Sequence, residues 1–223
     1  MDFQGKNILV VGASGVLGSA FAEQLLAAGA RVLGTASSTE SAQRIPQAVQ
    51  LKLLLDLESD DSVATLANYI NAHEKLDGIV LAAGRVGFGR LADTTAHDLS
   101  RITRINFLAQ ADLVSRITPA LQPEGFVAAI TGVVAEKAFP GMAAYCASKS
   151  ALSAWLGGAA LELRRQGVKV VELRPGHTET GLATRPLFGE APAMPQGMDP
   201  AHVASVTIAA IAARTLLVSS AEF

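Results

Sequence analysis

The hydrophobic residues of the chain follow two alternating patterns. Short runs rich in Val, Ile and Leu are typical of strands buried on both faces of a sheet, and they are separated by longer segments with helical apolar periodicity. The runs predict strands at Asn7–Val11, Arg31–Gly34, Val49–Leu55, Gly78–Ala82, Phe126–Thr131 and Val168–Leu173. The longer segments predict helices at Gly15–Ala28, Asp60–Glu74, His97–Thr118 and Ala143–Arg165. Because repeated strand–helix–strand units form parallel sheets, we expect one α/β domain with a Rossmann-like, doubly wound sheet.

Local signals mark where several of these helices begin and end. Gly29 and Gly167 each follow a predicted helix, and glycine is the commonest residue just past a helix end. Asp60 and Ser62 are candidate N-caps. They precede the apolar positions Val63, Leu66, Ala67 and Ile70.

The composition changes in one segment, Pro175–Pro200, which is rich in Pro, Gly and Met. It directly follows a predicted strand, and ligands of open α/β sheets bind beyond the carboxyl ends of strands. The segment around 175–200 is therefore predicted to be a substrate lid, with a plain connecting loop as the alternative. A final helix at Pro200–Ala213 and an edge strand at Thr215–Val218 follow. The lid's apolar residues suggest an apolar or amphipathic ligand: Leu182, Leu187, Phe188, Met194 and Met198.

Charge and hydropathy narrow the classes of partner. Of the 223 residues, 50% are hydrophobic and 17% are charged, with a formal net charge of −2. This balance indicates neither a nucleic-acid partner nor an anionic membrane surface. The most apolar late stretch, Val206–Val218, is too short to span a bilayer and contains Arg214. No secretory signal is visible, so we expect no membrane association.

The reactive side chains favour neither a disulfide nor a metal site. Cys146 is the only cysteine, which excludes an internal disulfide and favours a reducing cytoplasm. We interpret it as a small packing residue. Because the histidines show no metal-ligand spacing, we predict no metal; they are His73, His97, His177 and His202.

A glycine-rich turn links the first predicted strand to the first helix. Gly12, Gly15 and Gly18 would let the backbone turn tightly and approach a diphosphate at the helix N-terminus. We therefore predict a dinucleotide site in a single NAD(P)-binding domain over residues 1–223. The turn also contributes Ser14, Val16 and Leu17.

The end of the second strand favours NADP over NAD. A carboxylate about 20 residues after the glycine turn would hold the 2′-hydroxyl of NAD, but residues 33–38 contain no acid before Glu40. Hydroxyl groups such as that of Ser37 can accommodate a 2′-phosphate instead. Arg44 is a distant candidate for contacting that phosphate.

Tyr145 and Lys149 are separated by four positions, which places them on one face of the fourth predicted helix. A nearby cation favours the phenolate and lowers a pKa that is normally about 10. The pair therefore predicts a general acid/base, Tyr145, with Lys149 as the residue that tunes it.

These motifs together resemble the short-chain dehydrogenase/reductase family over about residues 5–215. The glycine spacing is that of the family's extended members, whereas Tyr145 and Lys149 match its catalytic motif. Asp56, with Leu57, matches the family's adenine contact, and Asn106 matches the helix asparagine that anchors a proton-relay water. Only Ala83 and Gly84 remain of its Asn-Asn-Ala-Gly segment. The family's nicotinamide-binding segment matches Pro175, Gly176, Thr178 and Thr180.

The resemblance implies hydride transfer between NADP(H) and a small carbonyl or alcohol substrate. Tyr145 would protonate the carbonyl oxygen, while Lys149 would bind the nicotinamide ribose and lower the tyrosine pKa. The family commonly dimerises through the helices represented here by His97–Thr118 and Ala143–Arg165, which implies a homo-oligomer, either dimer or tetramer. Arg85 borders the expected cleft, and we interpret it as a surface charge.

One position departs from the family pattern. The family's catalytic serine lies thirteen residues before the tyrosine, where this chain has Gly132. Losing such a donor can cost on the order of 10²–10³ in rate. Thr131 is adjacent, but successive strand side chains face opposite ways, so we expect it to point away. A backbone N–H near Gly132, a water or a group from the lid could replace the serine.

Two further functional classes stay open at this point. Gly132 and the altered Leu-Ala-Ala-Gly segment suggest an NADP(H)-binding sensory or structural module with weakened catalysis. The glycine spacing alone would suit an extended epimerase or dehydratase. Those relatives need a sizeable C-terminal substrate domain, for which we expect no room in this chain.

Overall fold

The computed structural model describes all residues, 1–223, as one α/β unit. Seven parallel strands pair in the order β3-β2-β1-β4-β5-β6-β7. The strands are β1 (Asn7–Val11), β2 (Arg31–Ala36), β3 (Leu51–Leu54), β4 (Leu76–Leu81), β5 (Leu121–Ile130), β6 (Lys169–Leu173) and β7 (Leu217–Val218). The helices are α1 (Val16–Ala27), α2 (Thr39–Ala42), α3 (Asp60–His73), α4 (Ala96–Thr103), α5 (Ala109–Ile117), α6 (Ala143–Leu163) and α7 (Pro200–Ala213).

The predicted Rossmann-like sheet is confirmed, and the strand order shows where it binds ligands. Strands β2 and β3 lie on one side of β1, while β4, β5, β6 and β7 lie on the other. The direction of winding therefore reverses between β1 and β4, and such a switch point opens a crevice at the carboxyl ends of the strands. The glycine turn follows β1, and Ala83 and Gly84 follow β4.

Several boundaries differ from the sequence-based expectations. The segment predicted as one helix, His97–Thr118, is α4 and α5 joined by a π-helical turn at Arg104–Leu108. The N-cap of α3 is Ser59, whose side chain accepts from the Ser62 N–H at 3.2 Å. Neither Asp60 nor Ser62 is the cap, because α3 begins one residue after Ser59.

Two hydrophobic layers sandwich the sheet. One contains Leu9, Ile79 and Val127 with the apolar faces of α3, α5 and α6. The other contains Val10, Val80 and Ala128 with α1 and α7. Neighbouring strand residues thus alternate between layers, as expected of strands buried on both faces. No helix is both long and apolar enough to span a membrane.

Candidate active site

A cavity of about 410 Å³ opens where β1, β2, β4 and β5 end. Most of the predicted cofactor-binding residues line it. They are Gly12, Ser14, Gly15, Val16, Leu17, Gly18, Ser37, Asp56, Leu57, Ala83, Gly84, Tyr145, Lys149 and Thr180. The tertiary structure thus brings together segments that are far apart in sequence.

The glycine turn depends on the absence of side chains at two positions. Gly12 has φ +86°, and a Cβ there would lie 2.9 Å from the Cα of Ala83. A Cβ on Gly18 would lie 2.1 Å from the Gly12 carbonyl oxygen. Both values are below real Cβ contacts, so glycine is what allows the turn to pack closely between β1, α1 and the loop after β4.

The N-terminus of α1 faces this cavity without a cap of its own. Its N-cap is Gly15, no side chain caps the helix, and its first turn contains no acid. The first N–H groups of a helix lack intrahelical partners and attract anions. The uncapped helix end and the side-chain-free turn therefore fit the diphosphate of a dinucleotide.

The cavity wall beyond β2 contains hydroxyl groups and a cation. Thr35 Oγ1 accepts from the Gly12 N–H at 3.0 Å, and Ser37 lies next to the cavity. Arg44 also lines the cavity, where its Nε donates to the Ser14 carbonyl at 3.4 Å. Glu40 does not line it. The structure therefore places Arg44 much nearer to the glycine turn than its sequence position suggests.

Asp56 combines a structural contact with a position in the cavity. Its Oδ1 accepts from the Glu58 N–H at 2.9 Å, and its own N–H donates to Ser62 Oγ at 2.9 Å. These contacts shape the turn that leads into α3. Asp56 and Leu57 also line the cavity, and their contact with the adenine remains a prediction.

Tyr145 and Lys149 both lie on α6 and line the cavity. Lys149 Nζ donates to the Ile130 carbonyl at 2.7 Å. The Tyr145 carbonyl accepts from Ser148 Oγ at 2.8 Å, while its phenol oxygen has no protein partner. The phenol group is therefore available to a ligand.

Burial dominates the electrostatics of this pair. Burial raises the pKa of Tyr145 to about 12, with a smaller contribution from Cys146. Burial also lowers the pKa of Lys149 to about 8. The expected lowering of the tyrosine pKa by Lys149 is therefore not found, because burial of the phenol dominates the shift and raises the pKa. Tyr145 keeps its proton at neutral pH, as a proton donor must.

The Lys149 pKa gives a testable dependence of stability on pH. The unfolded chain binds more protons than the folded protein between about pH 8 and pH 10.5, so the contribution of Lys149 to stability rises with pH there. The upper limit is about 1.4 kcal/mol per pH unit. We expect the difference in the free energy of unfolding between wild type and Lys149→Met, measured in urea, to be constant below about pH 8 and to change in favour of wild type between about pH 8 and pH 10.5.

A surface ammonium provides the control for this measurement. Lys75 is exposed and does not line the cavity, so Lys75→Met removes an ammonium outside the site and is measured in parallel as the control. If the free energy of unfolding depended equally on pH in wild type and Lys149→Met, burial of the charged Lys149 would not destabilise the folded protein.

Asn106 is fully buried in the π-helical turn and does not line the cavity. Its Oδ1 accepts from the Arg85 N–H at 2.9 Å, and its Nδ2 donates to the Arg85 carbonyl at 2.8 Å and to Ser148 Oγ at 3.0 Å. Asn106 thus ties the loop after β4 to the helix that carries Tyr145. Its predicted role in anchoring a relay water remains a prediction.

Gln110 is a site residue that the sequence reasoning missed. Its Nε2 donates to Ala83 O at 3.2 Å, to Ile105 O at 2.9 Å and to Asn106 O at 3.4 Å. It therefore holds the Ala83 backbone where the family's asparagines are absent, and it binds two carbonyls of the π-helical turn. No sequence signal marks this role, because the contact forms across the fold.

Gly132 adopts a backbone conformation that other residues rarely use. Its φ is +84° and its ψ is 166°, a region occupied almost only by glycine. The N–H groups of Gly132 and Val133 already donate to Leu173 O at 3.2 Å and Pro175 O at 2.9 Å. These two N–H groups are therefore engaged within the protein, which leaves a water or a lid group among the expected replacements for serine.

Thr131 points away from the cavity, as expected. It is fully buried, and its hydroxyl donates to Glu172 Oε1 at 2.7 Å. Glu172 is in turn bound by Arg174 at 2.9 Å. Thr131 is committed to this network behind the sheet and does not supply the missing serine hydroxyl.

The segment predicted to be a lid, 175–200, contributes fewer cavity residues than expected. Thr180, Leu182 and Arg185 line the cavity. Pro175, Gly176 and Thr178 do not. Instead, Thr178 Oγ1 donates to the Gly176 carbonyl at 3.1 Å, and Thr178 forms an isolated bridge with Met198. These residues therefore shape the base of the lid.

Arg85 was interpreted from the sequence as a surface charge, but it is half-buried and lines the cavity. Asn106 accepts from the Arg85 N–H and donates to the Arg85 carbonyl, which fixes the Arg85 backbone there. No group of three or more His, Cys, Asp or Glu side chains is arranged to hold a metal ion.

The fold and cavity define a class of protein: an α/β dinucleotide-binding domain with a tyrosine and a lysine one helical turn apart in the cavity wall. The chain belongs to the short chain dehydrogenase family, whose sequence profile matches residues 6–187. Membership makes it part of an oxidoreductase family.

Related Escherichia coli (strain K12) proteins share about a third of the aligned residues. The uncharacterized oxidoreductase YbbO is 31% identical over 179 residues, which cover 78% of this chain and 66% of YbbO. A cyclic-di-GMP-binding biofilm dispersal mediator protein is 33% identical over 183 residues, covering 80% and 75%. The 3-oxoacyl-acyl-carrier-protein reductase FabG is 31% identical over 188 residues, covering 82% and 77%. The chain thus spans slightly less than two thirds of YbbO.

Solved structures share the fold over nearly the whole chain. A short chain dehydrogenase from Burkholderia cenocepacia J2315 in complex with NADP has a TM-score of 0.85 at 27% identity, covering 99% of this chain and 98% of its own. A Burkholderia phymatum family member in complex with NAD has a TM-score of 0.86 at 22% identity, covering 99% and 90%. The second likeness concerns the fold alone. One of these neighbours is in complex with NADP and the other with NAD.

Proposed function

We propose that the protein is an NADP(H)-dependent oxidoreductase that interconverts a carbonyl group and an alcohol. The observation that carries this proposal is the placement of the free Tyr145 phenol and Lys149 in one cavity with the glycine turn. The glycine turn fits a dinucleotide diphosphate, and the pair supplies an acid and a cation beside it.

The proposed reaction divides the chemistry between the cofactor and the protein. Bound NADPH would supply a hydride to the carbonyl carbon. Tyr145 donates its proton to the carbonyl oxygen, since it keeps that proton at neutral pH. Lys149 is the candidate ligand of the nicotinamide ribose. Asn106 holds the loop after β4 against the tyrosine helix through Ser148.

An assay of NADPH oxidation with a panel of ketones and aldehydes tests this function. Turnover of at least one carbonyl compound, dependent on the protein, is the expected result. Binding of NADPH without turnover of any panel member would count against catalysis and favour a binding role.

That binding role is the second candidate function. A sensory or structural NADP(H)-binding module is favoured by the absence of a hydroxyl at Gly132 and by the commitment of Thr131 to Glu172. One relative is a cyclic-di-GMP-binding biofilm dispersal mediator protein, a name that states a binding role and no reaction. Weak or absent turnover alongside tight NADPH binding is its signature.

The preference for NADP over NAD forms a separate part of the proposal. It rests on Ser37 and the cation Arg44 at the cavity wall after β2, and on the exclusion of Glu40 from that wall. The side chain of Arg44 is anchored at the Ser14 carbonyl. A guanidinium at this wall favours a 2′-phosphate, whereas a carboxylate would favour a free hydroxyl.

Arg44→Gln tests the preference. We expect the Kd for NADPH to rise about fivefold, the effect of an exposed ion pair, while the Kd for NADH stays unchanged. Titration of both cofactors by fluorescence measures this. Arg164→Gln removes an equal charge at the far end of α6 and serves as the control. Equal weakening of NADPH and NADH in Arg44→Gln would contradict the assignment.

Lid function, assembly and location also belong to the proposal. We retain the lid over 175–200, a homo-oligomer and a cytoplasmic location. Leu152 and Leu156 on α6 pack in the protein's own core, so they are not available to an interface, whereas Gly157, Gly158 and Leu161 are exposed on the same helix. Sedimentation of the purified protein measures the oligomeric state.

A further inference from the structure

Two arginines from different segments converge on the lid side of the cavity. Arg85 follows the Ala83-Gly84 turn, Arg185 lies in the lid, and both line the cavity. Arg85 Nη2 donates to the Arg185 carbonyl at 3.3 Å. Arg185 donates through Nε to Gly181 O at 3.1 Å and through Nη2 to Thr180 O at 3.3 Å. Every one of these acceptors is a neutral backbone carbonyl.

Neither guanidinium is neutralised by an acid. Glu58 also lines the cavity, but Arg101 occupies both of its oxygens at 2.6 and 2.8 Å. Burial lowers the pKa of Arg85, and repulsion from Arg101 and Arg185 lowers it further, while attraction to Glu58 has a smaller, opposite effect. The wall therefore holds an excess of positive charge that a bound anion would relieve.

The backbone holds both arginines in position. Asn106 binds the N–H and the carbonyl of Arg85. Just beyond the two arginines, the Leu187 N–H donates to Val86 O at 2.8 Å, and the Phe88 N–H donates to Phe188 O at 3.0 Å. These backbone contacts join the lid to the loop after β4.

The packing of Phe188 makes this junction close. A Cβ on Gly87 would lie 2.3 Å from the Phe188 ring, so the ring rests directly on the glycine backbone. Arg85 and Arg185 therefore line the cavity from two segments that are joined to each other. The glycine turn and the N-terminus of α1 line the same cavity from a different part of the chain.

We propose that Arg85 and Arg185 form an oxyanion subsite that binds the phosphate oxygens of a ligand in this cavity. This proposal rests on the proposed function only because both concern the same cavity. Anion binding by the two arginines of the subsite does not depend on catalytic turnover. Its phosphate group comes from one of two sources: the diphosphate of the dinucleotide, or a phosphate on a second ligand bound beside it. In either case the anion draws the lid arginine and the loop arginine together.

Inorganic pyrophosphate is the probe that tests the subsite. We would titrate it by calorimetry into the cofactor-free and the NADPH-saturated protein, for wild type, Arg85→Gln and Arg185→Gln. The expected result is binding to wild type that weakens about fivefold in each variant. Arg164→Gln, which removes an equal charge at the far end of α6, should bind pyrophosphate as wild type does. Neither substitution alters the backbone contacts of Asn106.

The two sources give different results. If NADPH abolishes pyrophosphate binding and the variants also weaken NADPH, the subsite takes the dinucleotide's diphosphate. If the NADPH-saturated protein still binds pyrophosphate in an arginine-dependent way, the subsite serves a second ligand. Equal pyrophosphate affinity in all the proteins, or none in wild type, would overturn the proposal. A failure of carbonyl turnover would leave it standing, because no arm of the test measures catalysis.

Discussion

Replacing Tyr145 with phenylalanine is expected to lower kcat for NADPH-dependent carbonyl reduction by about 10²–10⁴-fold, the usual contribution of a positioned proton donor. The substitution removes one oxygen, and that oxygen has no hydrogen-bond partner in the protein. The folded structure and the Kd for NADPH should therefore be unchanged. Steady-state kinetics and a parallel NADPH titration measure the two quantities separately.

The chain offers a matched control in its only other tyrosine. Tyr69 lies on α3, where its ring packs against His73 at 4.9 Å between centroids, and it does not line the cavity. Tyr69→Phe removes the same oxygen and should keep full activity. Unchanged turnover in Tyr145→Phe would remove Tyr145 as the proton donor, whereas loss of NADPH binding would point to a structural role.

Restoring the family's serine is expected to harm the protein rather than activate it. Gly132 has φ +84° and ψ 166°, and holding another residue in such a region costs about 1–3 kcal/mol. Space is not the obstacle, because a Cβ there would lie 3.5 Å from Pro175 O, an ordinary contact. We expect Gly132→Ser to lower the free energy of unfolding by that amount without raising kcat.

Gly132→Ala separates the strain from the hydroxyl group. It should lower the free energy of unfolding as much as Gly132→Ser does, because both introduce a Cβ on the same backbone. Denaturant unfolding and carbonyl turnover measure the pair. The loss of such a donor typically lowers kcat by about 10²–10³-fold. A gain of about 10-fold or more in kcat for Gly132→Ser, but not for Gly132→Ala, would show that the backbone accepts a side chain and that only the hydroxyl group is missing.

Local sequence predicted the framework of the fold accurately. Strand β1 and helix α7 have the predicted bounds, and the other predicted strands and helices are present. These elements follow from short-range signals: apolar runs buried on both faces, helical periodicity and glycine at helix ends. The π-helical turn at Arg104–Leu108 was not predicted. Gln110 binds both this turn and the carbonyl of Ala83, and the contact with Ala83 forms only when distant parts of the chain come together.

The candidate site likewise combines features that local sequence predicted with features that only the tertiary structure shows. The sequence by itself determined the family, the glycine turn and the Tyr145–Lys149 pair, since each depends on residue types at fixed spacing within one turn or helix. Only the tertiary structure placed Arg44 beside Ser14, brought Arg85 and Arg185 to one cavity, and turned Thr131 toward Glu172. It also reversed the expected pKa of Tyr145, because burial depends on everything packed around the phenol and not on its neighbours in sequence.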